Sequence, residues 1–136
     1  MTHTATRRSR TAPAVLTALR AAAVLTVVSL LVQFLTAGGF VGQQGGEGAE
    51  AAHSVGAIVL HVLSGLTVVA AALTWRAGAA LWPTVVAALV FVLSFVQAYV
   101  GSNGPLSVHI PGAMVLTVGA VLVAAWSFTP GAAGRR

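Results

Sequence analysis

The sequence predicts an all-α polytopic membrane protein, a four-transmembrane-helix bundle built from two tandem helical hairpins. Three observations carry that reading. The chain of 136 residues is 57% hydrophobic and only 7% charged, with a mean hydropathy of +0.93, a balance outside that of soluble domains. Its apolar residues fall into four runs, 13–37, 51–75, 81–100 and 106–128, each near the ~20 residues that cross a bilayer as helix. Finally, "HSVGAIVLHV" (53–62) laid over "HIPGAMVLTV" (109–118) matches at six of ten positions.

Each run is bounded by breakers: "GGFVGQQGGEG" after the first, "RAG" after the second, "GSNGP" after the third and "TPGAAGRR" after the last. Pro13, Pro83 and Pro111 are expected in or near first turns, where a missing N–H costs little. Strands are excluded because the runs are long and do not alternate, and a membrane barrel needs at least about eight strands. The layout is a basic tail (1–12), one transmembrane domain (13–129) and a C-terminal tail (130–136).

All seven cationic residues are arginines. Arg7, Arg8, Arg10 and Arg20 precede or open the first run, Arg76 lies between the second and third, and Arg135 and Arg136 close the chain. They map to one side, which the positive-inside rule makes cytoplasmic, so both termini are expected inside a plasma (inner) membrane. The opposite loops hold Glu47 and Glu50. Trp75, Trp82 and Trp126 fall at the arginine side, where amphipathic rings suit the interface. Arg20 is expected to snorkel to the headgroups. Arginines at segment ends, without a patch of interleaved aromatics, point to the lipid bilayer as partner and away from nucleic acid. "RRSR" before an apolar run resembles an export signal, but the run exceeds a typical signal core, and the first helix is expected to be retained.

The repeat directs attention to histidine. His53 and His109 occupy equivalent positions, each followed three residues later by a glycine, Gly56 and Gly112. Parallel partners in two hairpins are related by a pseudo-twofold axis along the membrane normal. The two imidazoles are therefore expected at one depth, about one turn inside the outer boundary, facing each other across diagonal helices ~11–14 Å apart. The glycines leave room for a flat macrocycle or for close helix contact. Bis-histidine ligation of a non-covalent b-type haem is the functional expectation. Structural hydrogen bonding, and proton or substrate handling, are the competing uses of an intramembrane histidine. His61 lies about 12 Å deeper and rotated by about 80°; it is expected to bond Thr117 or Ser64, to support the site, or to replace His53 as ligand. His3, in the tail, is expected to be idle.

Other chemistry fails on composition. With no Cys and no Asp, thiolate metal sites, c-type haem attachment and Ser–His–Asp catalysis are out. "EAAH" (50–53) occurs once, whereas a di-iron bundle needs two such steps and further glutamates. Gln33 and Gln97 either tie the bundle together or contact a quinone or haem edge. The Gly-rich loop lacks the Lys-Ser/Thr of a nucleotide loop.

The order of a "Q…G" helix end, a Gly-rich outer loop, "ExxH" opening the second helix, then "Q…G" and a second His opening the fourth resembles one four-helix half of the heme A synthase family. It is also similar to small bacterial four-helix membrane proteins that open helices two and four with His. The first resemblance implies haem ligands near the outer face at His53 and His109, with Glu50 the acidic residue before the first. Ser54 stands where that family has Arg, and there is no second half, so synthase activity would require a homodimer. Haem propionates would look to water, Ser102, Asn103, Gln43 and Gln44. The expected role is electron transfer or haem handling with a redox or membrane-protein partner, not catalysis. The alternative is a structural or accessory membrane protein without cofactor, packed through small residues such as Gly65, Gly78 and Gly119.

Overall fold

The computed structural model describes residues 11–42 and 46–134. Four helices follow one another, α1 (Pro13–Val41), α2 (Gly46–Arg76), α3 (Trp82–Asn103) and α4 (Leu106–Ser127), with a short 3₁₀ turn at Pro130–Ala133. All four are long and apolar enough to cross a membrane, and the chain is an integral four-span membrane protein. His3, Gln43, Gln44 and the five terminal arginines lie outside the described residues.

The helices form a closed ring in which α1 packs on α2, α2 on α3, α3 on α4, and α4 back on α1. Sequence neighbours are therefore space neighbours, and α2 and α4 stand on a diagonal, as expected for two tandem hairpins.

The first hairpin is longer than the sequence suggests. α1 continues through Gly38 and Gly39 to Val41, and α2 begins at Gly46, so the Gly-rich segment is largely helix. A glycine costs ~1 kcal/mol in a helix, less than backbone groups left without partners at a membrane boundary. As a result His53 lies seven residues into α2, whereas His109 lies three into α4. With their side chains at one level, the first hairpin projects about 6 Å farther at the histidine end. Pro111 lies near the first turn, as expected, but already inside α4, and having no N–H it leaves the Ser107 carbonyl without its helical partner.

Small residues bring the helices close. Leu19, Ala23, Ala70, Ala71, Ala87 and Val123 form one buried cluster, and Leu30, Leu60, Val90 and Ala120 a second. Gly65 faces the Phe91 ring, and Gly119 faces Val90 and Val86. Gly78 works differently from the packing role expected for it. Its φ of 98° ends α2 in a Schellman turn, with Gly78 N–H donating to the Trp75 carbonyl at 2.8 Å and Ala79 N–H to the Thr74 carbonyl at 3.1 Å.

The arginine end is fastened by polar contacts. Arg20 Nε donates to the Ser127 carbonyl at 3.0 Å, and its guanidinium lies 5.1 Å from the Phe128 ring centre. Instead of simply reaching for headgroups, it caps a helix C-terminus, where carbonyls lack partners and a cation is favoured. Trp82 and Trp126 meet edge to face at 5.8 Å. Thr11 Oγ1 donates to the Ala132 carbonyl at 3.3 Å, and Thr11 N–H to the Ala133 carbonyl at 3.4 Å.

Gly119→Ala places a methyl 2.9 Å from Val90 Cγ2, a β-branched side chain that cannot swing aside. It is expected to destabilise the bundle by ~1–3 kcal/mol. Gly38→Ala, which meets nothing within 4 Å, is expected to stabilise by up to ~1 kcal/mol, the helix-propensity gain of Ala over Gly. Reversible unfolding in mixed micelles compares the two.

Candidate functional site

At the histidine end the ring of helices frames a partly open apolar cavity of about 320 Å³. α1 contributes Gln33, α2 His53 and His61, α3 Gln97, and α4 His109 with Leu106 and Ile110. Among the described residues no Arg, Lys, Asp or Glu lines it, and its titratable side chains are the three histidines.

His53 and His109 come together. Their ring centres are 6.5 Å apart with planes inclined at 73°, across the diagonal between α2 and α4. The pairing follows from the repeat, because equivalent positions on helices related by a pseudo-twofold axis reach the same level.

The His53 imidazole is held by α1. Its Nδ1 lies 3.1 Å from Thr36 Oγ1 and 3.2 Å from the Gln33 carbonyl oxygen. The Thr36 hydroxyl hydrogen already serves carbonyls of its own helix, so Nδ1 carries the proton and donates. Nε2 is left with a free lone pair, the tautomer in which a histidine binds a metal. Gln33 completes a reciprocal tie, since its Nε2 donates to the His53 carbonyl at 3.0 Å.

His109 is seated differently. Its ring packs against Gly101, where a Cβ would come within 2.8 Å of His109 Cε1. Its Nδ1 is buried without a hydrogen-bond partner among the described residues.

Gly56 and Gly112 make space, but carboxamides take it. A Cβ at Gly56 would approach Gln33 Nε2 to 2.8 Å, and one at Gly112 would run into Gln97 Nε2. Of the two uses the sequence left open, close contact between helices is the one the structure displays. The Gln-over-Gly arrangement occurs once per hairpin, so the internal repeat extends to side-chain packing. Both glutamine Oε1 atoms are buried without partners.

His61 bonds neither Thr117 nor Ser64 through its ring. The Thr117 hydroxyl donates to the Ala113 carbonyl at 2.8 Å, and the Ser64 hydroxyl to main-chain carbonyls of its own helix. The His61 ring instead stacks on Phe95, with centres 3.9 Å apart and planes 5° from parallel. Ser102 and Asn103, the described candidates for contact with propionates, are exposed and donate back to carbonyls of α3. Among the described residues no three His, Cys, Asp or Glu side chains cluster as a metal site. The site is a pair of imidazoles in an apolar chamber.

The roles of three participants escaped sequence reasoning. Thr36 carries no motif, although it lies three residues beyond Gln33, on the same helix face, and Gly101 reads only as the glycine that ends the second "Q…G". Phe95 reads as one more lipid-facing aromatic.

Gly56→Ala is expected to push the Gln33 carboxamide off the His53 carbonyl. The loss, about 1 kcal/mol for one net hydrogen bond, should appear as a lower unfolding midpoint in detergent, with helix content unchanged by circular dichroism. No family model, curated protein or solved structure matches the chain.

Proposed function

We propose that this four-span protein binds b-type haem between His53 and His109 and serves electron transfer or haem handling. The observation that carries the reading is the 6.5 Å separation of the two ring centres. Metal–imidazole bonds of ~2.0–2.1 Å put two rings on opposite sides of one metal at close to that spacing. Three further features support the fit. His53 offers Nε2 with its Nδ1 anchored, the pattern that orients and strengthens histidine ligands. His109 reaches the same level from α4 and lines the same cavity. The chamber they share is apolar, as a porphyrin face requires. The resemblance to one half of the heme A synthase family points the same way.

When bound, haem supplies a one-electron couple whose potential depends on its axial ligands, burial and hydrogen bonding. The protein's part is to hold two imidazoles between walls that, among the described residues, are free of Arg, Lys, Asp and Glu, and to keep His61 against Phe95 beneath the site. By the positive-inside rule, the arginine end faces the cytoplasm and the histidine end the outer side of the plasma membrane.

A second reading rests on the bonds from His53 to Thr36 and Gln33, which tie α1 to α2 whether or not anything is bound. On that view the protein is an accessory or structural membrane component without cofactor.

Protein purified in detergent after expression with ample haem is expected to show a Soret band that sharpens and shifts with dithionite. The double variant His53→Ala/His109→Ala should lose it, and His61→Ala should only perturb it. A colourless wild type favours the accessory reading. For orientation, reporters fused at either terminus are expected to be active only in the cytoplasm, and one inserted between α1 and α2 only outside.

A further inference from the structure

The two histidines are not equivalent, although the repeat makes their positions so. His53 Nδ1 has two partners on α1, and His109 Nδ1 has none. One residue differs between the repeats at this point. Three positions after Gln33 stands Thr36, whose hydroxyl accepts from His53; three positions after Gln97 stands Val100. The second hairpin therefore repeats the glutamine, the glycine and the histidine but omits the hydroxyl that fixes the ring.

The start of α4, which carries His109, also lacks fastenings. The residue before α4, Pro105, supplies no side-chain cap, and Pro111 removes the N–H that the Ser107 carbonyl would accept. Leu106, Ile110 and Ala113, from the same stretch of α4, line the cavity and give it apolar space beside the ring.

From this asymmetry we infer that His53 is the permanent axial ligand and His109 an exchangeable one, displaced by a small neutral diatomic such as carbon monoxide or nitric oxide. The inference rests on the haem reading above and says what the site does with its ligand: it binds a dissolved gas. In the exchange the His109 nitrogen departs with its lone pair and the diatomic takes its place, so no electron or proton is transferred. An anchored Nδ1–H makes His53 the stronger donor and restricts its rotation. His109 has no such hydrogen bond, so besides the bond to the metal only the packing of its ring on Gly101 opposes its release. The gas enters an apolar chamber, where a neutral molecule loses little on leaving lipid.

The test uses dithionite-reduced protein in detergent micelles, titrated with carbon monoxide and followed by absorption. Wild type is expected to bind the gas. His109→Ala should retain haem in a five-coordinate high-spin form, whereas His53→Ala should lose most of it. Val100→Thr preserves shape and restores the missing hydroxyl. It should lower carbon monoxide affinity about five-fold, the factor one net hydrogen bond supplies, while leaving haem content unchanged. A wild type without a Soret band overturns the haem reading and this inference together. A haem-loaded wild type that rejects the gas, equal haem loss in both single variants, or unchanged affinity in Val100→Thr overturns this inference alone.

Discussion

A bilayer offers no hydrogen-bond partners, so every polar group between the two ends of this bundle must find one within the protein. Most do so in the cheapest way. Buried serines and threonines return their hydroxyl hydrogen to a carbonyl three or four residues back, as at Thr74, Ser94 and Ser127, and Thr26 and Thr67 also meet each other across α1 and α2 at 3.0 Å. Against that background the unsatisfied atoms stand out. Of the four buried side-chain atoms without partners among the described residues, Gln33 Oε1, Gln97 Oε1 and His109 Nδ1 belong to residues lining one cavity, and only Thr84 Oγ1 does not. Unmet polar demand in one apolar chamber is what separates a site from mere packing.

Much of the architecture was legible because hydropathy and repetition are long-range signals. Four apolar runs gave four helices, and the shared His-x-x-Gly brought His53 and His109 to one level. Helix ends were less legible. Gly38, Gly39 and Gly46 read as breakers by propensity, yet lie in helices, since propensity is weak beside the need to pair backbone groups at a membrane boundary. Side-chain destinations were the least legible of all. Nothing in the spacing distinguishes a glycine that admits a ligand from one that admits a glutamine of the preceding helix. His61 against Phe95 and Arg20 against the Ser127 carbonyl depend on helix rotation, which composition does not encode.

The internal repeat combines sameness and difference in a useful way. What is shared, a glutamine lying over a glycine, fixes the spacing within each hairpin and so the height of each histidine. What differs is small: a threonine against a valine, and a proline within α4. Near-symmetry delivers two rings to one place, and its local failure leaves one ring hydrogen-bonded through Nδ1 and the other held by packing. A single symmetric dimer of hairpins could achieve the first but not the second.

The contacts of Thr11 with Ala132 and Ala133 bear on connectivity. Because the first and last described stretches of chain hydrogen-bond to each other, the ring of helices has no obligatory starting point. Cut at the Gly78 turn and spliced through the tails, the polypeptide would run α3, α4, α1, α2 with its interhelical contacts retained. The order in which the hairpins are synthesised is thus separable from the shape they assume, and a permuted gene should encode the same membrane object.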